Sequence, residues 1–204
     1  MEEILPGVWH WSALHPSIKI PVHSYWLESE RILFDPIAPD EGLDWFAEHG
    51  PPTDVLLTNR HHYRSSASFV ERFGVTVHCS RRGLHEFTHG EKVEPFDPGD
   101  ELPGGVVAYE VGAICLDESA LHVPAHGALA LADGAVRREP GGPLAFVPDG
   151  YMDEPEETKE GLREAYRRLA ALDFEHLLLA HGEPFVRTGR DALAAFAGQR
   201  AGRS

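Results

Sequence analysis

Val55-Leu56-Leu57-Thr58-Asn59-Arg60-His61-His62-Tyr63-Arg64-Ser65-Ser66 is the stretch whose reading decides the fold. An apolar run of strand character ends at Thr58. The chain then breaks into polar, ring-bearing and cationic residues. In an α/β protein, the loop leaving the carboxyl end of a buried strand is where chemistry collects. Two adjacent histidines between two arginines are unusual in a solvated loop.

Working outward, the residues before this stretch read as a strand over 8–11 and a hairpin. Apolar runs over 22–27 and 31–34 are joined by Glu28-Ser29-Glu30, and Asp35-Pro36 stops the second run. Asp40 is placed to N-cap a helix carrying Leu43, Trp45, Phe46 and Ala47, which Gly50-Pro51-Pro52 ends. After the stretch, Ser65 or Ser66 caps a helix through Phe69, Val70 and Phe73, closed by Gly74. A strand over 75–78 and a helical piece over 80–87 follow. This alternation is α/β in character.

From Gly90 the texture turns to short strands, over 91–96, 105–111, 119–123, 128–132 and 144–147. Asp133-Gly134 reads as a hairpin turn between 128–132 and 135–137. An amphipathic helix over 155–172 has an acidic first turn and a basic later part, which suits the helix dipole. A buried strand over 176–180 ends at His181-Gly182, and a last helix covers about 191–196. Neither an internal repeat nor a linker divides the chain, so residues 1–204 are expected to form a single domain.

With 204 residues, 42% hydrophobic and 25% charged, the chain can bury a sizeable core. Its formal net charge of −15 argues against nucleic acid and against an anionic membrane surface. Two cysteines, Cys79 and Cys115, allow no disulfide framework. The first residues lack a basic and an apolar leader region, and no apolar run approaches a membrane span. The expected location is the cytoplasm.

Three polar groups each end a strand-like run: Thr58 to Arg64, Asp149 after Phe146-Val147-Pro148, and His181 after Leu177-Leu178-Leu179-Ala180. A histidine, an aspartate and a histidine at one rim are ligand chemistry for zinc or iron. Nearly the whole chain, in this order, resembles the metallo-β-lactamase fold superfamily. There a hairpin precedes a strand ending in Thr-His-x-His-x-Asp-His, a later Gly-Asp follows another strand, and the last strand ends in His-Gly. The resemblance implies an α/β four-layered αβ/βα sandwich with the site along one edge. It also implies hydrolysis of esters, thioesters, lactams or phosphoesters by metal-activated water, or in some members redox chemistry.

Carried over residue by residue, Thr58 and His61 match the first motif. Asn59, Tyr63 and Arg64 stand where it has His, Asp and His. Cys115 falls at a mid-chain histidine position, Asp149 at the bridging aspartate and His181 at the final histidine. The resemblance therefore implies His61, Asp149 and His181 as catalytic and metal-binding residues, with Cys115 as a fourth ligand. One divalent metal is expected, zinc first, with iron, manganese or no metal as the alternatives. His61 reads equally as a loop histidine making hydrogen bonds, and Cys115 as a small buried apolar residue.

Arg60, Arg64 and Tyr63 are the candidate contacts to a small, anionic substrate. A guanidinium beside a divalent metal is repelled, so Arg64 is expected to pair with Asp149 and replace a second metal's charge. Two functions stay open: a hydrolase-like enzyme with at most one metal, and a non-catalytic member that binds a ligand or is structural. Aromatics near Trp9, Trp11, Tyr25 and Trp26 suggest a homodimer interface.

Overall fold

A computed structural model describes residues 1–199. Its first sheet holds seven strands in chain order: β1 (Glu2–Leu5), β2 (Val8–Leu14), β3 (Pro21–Leu27), β4 (Ile32–Phe34), β5 (Asp54–Leu56), β6 (Thr76–Ser80) and β7 (Val93–Phe96). The first four pair antiparallel, and β4 to β7 are parallel. Helices α1 (Asp44–His49) and α2 (Ser66–Phe73) are the crossovers that parallel pairing demands. Helix α1 starts four residues beyond Asp40, with Leu43 rather than a side-chain cap at its N-terminus. The helical piece after β6 is a 3-10 helix over Arg81–Glu86.

The second sheet runs β14 (His176–Leu179), β11 (Ala128–Leu131), β10 (Ser119–Val123), β9 (Val106–Glu110) and β8 (Glu101–Leu102). Only β14 and β11 are parallel there. Helices α3 (Pro155–Leu169) and α4 (Gly189–Ala197) lie on its outer face.

Side chains alternate across each strand, and both faces of the central strands are covered. Leu177 and Leu179 therefore join the cluster under α3 and α4, while Leu178 joins the cluster between the sheets. Likewise Val55 and Leu57 face Phe46 of α1 and Phe69 of α2, and Leu56 faces inward. Each such fully buried leucine contributes roughly 1.5–3 kcal/mol. The result is the four-layered helix–sheet–sheet–helix sandwich that the resemblance implied.

The middle section departs from the expected pattern at one decisive place. Asp133-Gly134 is not a hairpin turn. Strand β12 (Ala135–Val136) leaves the sheet of β11 and pairs with β13 (Ala145–Phe146) in a separate two-stranded ribbon. Asp133 thus lies just past the carboxyl end of a central strand. Asp149 follows only this short ribbon, between Pro143 and Pro148, which cannot donate ladder hydrogen bonds.

The expected dimer aromatics belong to the interior. Trp11, Tyr25 and Trp26 are 5%, 2% and 0% exposed. Trp9 packs against Trp45 and donates its indole N–H to Glu28 at 3.0 Å. The homodimer expectation loses the surface it rested on.

Candidate metal centre

The parallel strands deliver their carboxyl ends to one edge of the sandwich. Asp35 follows β4, residues 58–64 follow β5, Asp133 follows β11 and His181 follows β14. Tyr25 fixes the last of these across the sheets. Its hydroxyl donates to Leu179 O and accepts from Leu179 N–H, both at 2.9 Å, just before His181. After His181 only glycine fits. Gly182 has φ +109°, and a Cβ there would strike the Arg137 backbone.

A 3-10 turn over Arg60–Tyr63 decides which histidine of the opening stretch is used. Asn59 Oδ1 accepts the His61 N–H at 2.9 Å and starts the turn. His61 is left exposed, and His62 is turned inward at 4% exposure. His62 Nδ1 meets Asp35 Oδ2 at 2.9 Å and Thr58 Oγ1 at 2.9 Å. On its other side, Nε2 meets Asp133 Oδ1 at 3.1 Å. The same Asp133 oxygen is 2.8 Å from His181 Nε2. Asn59 Nδ2 donates to the second oxygen, Oδ2, at 2.6 Å. Asn59 therefore orients Asp133 so that one oxygen faces both imidazoles.

His62, Asp133 and His181 each offer one ligand atom, all within 4.8 Å of one another. Two imidazoles and one carboxylate are a zinc or iron donor set. Behind His62, Asp35 makes the carboxylate–histidine contact that fixes a metal ligand's ring and tautomer. The residues present fit one metal.

The electrostatics are those of a tight ion cluster. Burial alone disfavours a charged His62, but Asp35 and Asp133 outweigh it and hold its pKa up at about 9. Burial of Asp133 is outweighed in turn by His62 and His181, and its carboxyl stays well below the usual range. His181 is pulled down, first by burial.

Several expected site residues lie elsewhere. Asp149 is exposed on a 3-10 turn, in an ion pair with Lys159 at 2.9 Å. Asp133, not Asp149, lies beside His181. His61 yields to its neighbour His62. Cys115 is not among the converging atoms, and burial, reinforced by Glu118 and Asp117, pushes its thiol up and keeps it protonated. Of the expected ligands, only His181 is among the converging atoms.

The proposed substrate contacts are also occupied. Arg64 neither pairs with Asp149 nor faces solvent. Its Nη1 donates to His23 O and Asp35 O, each at 2.7 Å, and Nη2 donates to Ala180 O at 3.3 Å. Arg60 is clamped by buried Asp117, which takes both its guanidinium and its backbone N–H. Tyr63 packs against Phe87. Both guanidiniums are thus already engaged, Arg60 through Nη1 and Arg64 through Nη1 and Nη2. Among the described residues, no helix is long and apolar enough to cross a membrane.

Neither a family model nor a curated protein matches the sequence. Solved structures do match. A metallo-beta-lactamase from Pontibacter korlensis superposes with a TM-score of 0.69 over 98% of each chain, at 14% identity. A metallo-beta-lactamase family protein from Thermus thermophilus gives 0.67 and 17% identity, covering 96% of this chain and 80% of its own. The Pseudomonas aeruginosa metallo-beta-lactamase FIM-1, in its mono-zinc form, gives 0.66 and 15% identity over 96% and 92%. The chain has the metallo-β-lactamase fold. Identities this low carry the fold and leave the chemistry to the residues at the edge.

Proposed function

We propose that this chain is a hydrolase-like protein of the metallo-β-lactamase fold, working with one divalent metal held by His62, Asp133 and His181. Zinc is the first choice, and the substrate is a small ester, thioester or phosphoester. The observation that carries this reading is the convergence of two imidazoles and a carboxylate at the carboxyl ends of parallel strands, with His62 held from behind by Asp35 and Asp133 by Asn59. The mono-zinc form of FIM-1 is consistent with a single ion in this fold.

A metal here supplies Lewis acidity and makes water acidic enough to attack near neutral pH. The chain's own residues prepare the place. Asp35 and Thr58 hold the His62 ring, Asn59 holds Asp133, and Tyr25 and Gly182 set His181. Arg64 adds a fixed positive charge to the floor, with Nη1 and Nη2 donating to backbone carbonyls.

A second reading has one specific observation in its favour. Without a metal, His62, Asp35, Asp133 and His181 already satisfy one another, and cationic His62 and Arg64 supply positive charge. That describes a non-catalytic member of the fold.

Hydrolysis assays separate the two. Protein loaded with zinc, manganese or iron(II) is offered aryl esters, thioesters and phosphoesters. The enzyme reading expects turnover that chelation removes and that His181→Ala lowers at least 100-fold. No turnover above the metal-only blank with any of the three metals sinks it.

A further inference from the structure

Beneath the centre lies a buried carboxyl that the reading above does not use. Glu118 is 1% exposed. Its Oε1 accepts the Gly134 N–H at 2.9 Å, on the residue that follows Asp133. The other oxygen, Oε2, and the buried Tyr166 hydroxyl have no hydrogen-bond partner among the described residues. Both groups close around Gly134, where a Cβ would collide with Tyr166 Oη and Leu162 and come within 3.1 Å of Glu118 Oε1. The turn carrying Asp133 is thus pressed against Glu118 from inside the fold.

The backbone around Glu118 is itself fixed. Its carbonyl accepts from Val111 and Gly112 at 3.0 and 3.1 Å, and its N–H donates to Cys115 O at 3.1 Å. The next residue, Ser119, donates its N–H to Thr58 O at 2.8 Å. Thr58 in turn holds Asp35 through its N–H at 2.8 Å and its hydroxyl at 2.5 Å. Glu118-Ser119 therefore brackets the two halves of the centre, with the His62 side held through Thr58 and the Asp133 side through Gly134.

We propose that Glu118 is a positioning residue, whose side-chain acceptor sets the Asp133 carboxylate against His62 and His181 by holding the Gly134 amide. The Gly134 contact asks only for an acceptor oxygen at this position, which a glutamine side chain also offers. An uncharged acceptor of the same shape should then serve equally well. The consequence for metal affinity rests on the one-metal reading; the consequence for ring geometry does not.

Glu118→Gln keeps the acceptor, and Glu118→Met removes it at similar volume. Cobalt(II) chloride titrations should show Glu118→Met weakened 10- to 100-fold, as for other groups that orient metal ligands, and Glu118→Gln within threefold of the parent. In chelator, the ring-nitrogen resonances of His62 and His181 should move in Glu118→Met and stay in place in Glu118→Gln. If both variants weaken cobalt equally, or if neither moves the rings, the proposal is wrong. A parent that binds no cobalt sinks the one-metal reading alone, and the ring resonances then decide the role of Glu118. If Glu118→Met does not fold, hydrogen exchange of the parent's Gly134 amide decides. Protection supports the proposal, and exchange at the unprotected rate overturns it.

Discussion

Glu118→Gln is expected to be more stable than the parent at pH 8 and close to it at pH 4. The folded-state pKa of Glu118 is raised to about 8 from an ordinary 4.5, first by burial and then by Asp133. Below about pH 4.5 the group is protonated in both folded and unfolded chains and costs nothing. As the pH rises, the unfolded chain ionises first, and the parent loses about 1.4 kcal/mol per pH unit until the folded group ionises near pH 8. The accumulated loss is on the order of 5 kcal/mol, and glutamine does not titrate. Denaturant midpoints of both proteins from pH 4 to 9, in chelator, should diverge steadily over this range. Parallel curves would show that the carboxyl ionises normally in the fold.

The other large effect belongs to Arg64. Its guanidinium ties together the ends of β3, β4 and β14 through His23 O, Asp35 O and Ala180 O. Asp35 O and Ala180 O have second donors, Ser24 Oγ at 2.7 Å and His23 N at 2.9 Å, so removal does not strand every acceptor. Arg64→Ala should therefore cost about 3 kcal/mol, nearer one strong charge-assisted bond than three. Lysine keeps the charge but not the fork, and Arg64→Lys should recover less than half of the loss. Arg64→His introduces the side chain that the resemblance implies at this position, yet should be as unstable as Arg64→Ala and bind no second metal. Asn59 and Tyr63 remain poor ligands, and the three carbonyls lose their donor. Urea unfolding with metal counting tests both points. A histidine variant of parental stability holding a second equivalent would mean that Arg64 only fills a vacated ligand position.

The contrast between the fold and the centre shows what a sequence reveals. The α/β alternation was legible because its strands are buried on both faces and read as apolar runs in the right order, with Asp35-Pro36 and His181-Gly182 as clean stops, and the resemblance supplied the sandwich. The centre was less so. Whether His61 or His62 turns inward depends on the pitch of one 3-10 turn, which Asn59 initiates through its own side chain. Asp133 was hidden by a local signal, since Asp-Gly between two apolar runs looks like a hairpin. It was nonetheless findable, because it ends the run 128–132 as Asp149 ends 144–147, and the first run is the longer. The partners of Arg64 are backbone carbonyls from three strands, and side-chain patterns carry no trace of them.

The proposed centre binds one metal through His62, Asp133 and His181, and His61 and Asp149 stand outside it. Its most direct test is the metal content of purified protein by plasma mass spectrometry, after loading with zinc and exhaustive dialysis. The account predicts close to one equivalent per chain in the parent, His61→Ala and Asp149→Ala, and under about a tenth in Asp133→Ala and His181→Ala, since a real site holds its ion through dialysis. A parent holding less than about a tenth of an equivalent contradicts it, as does zinc retained by Asp133→Ala or lost from Asp149→Ala.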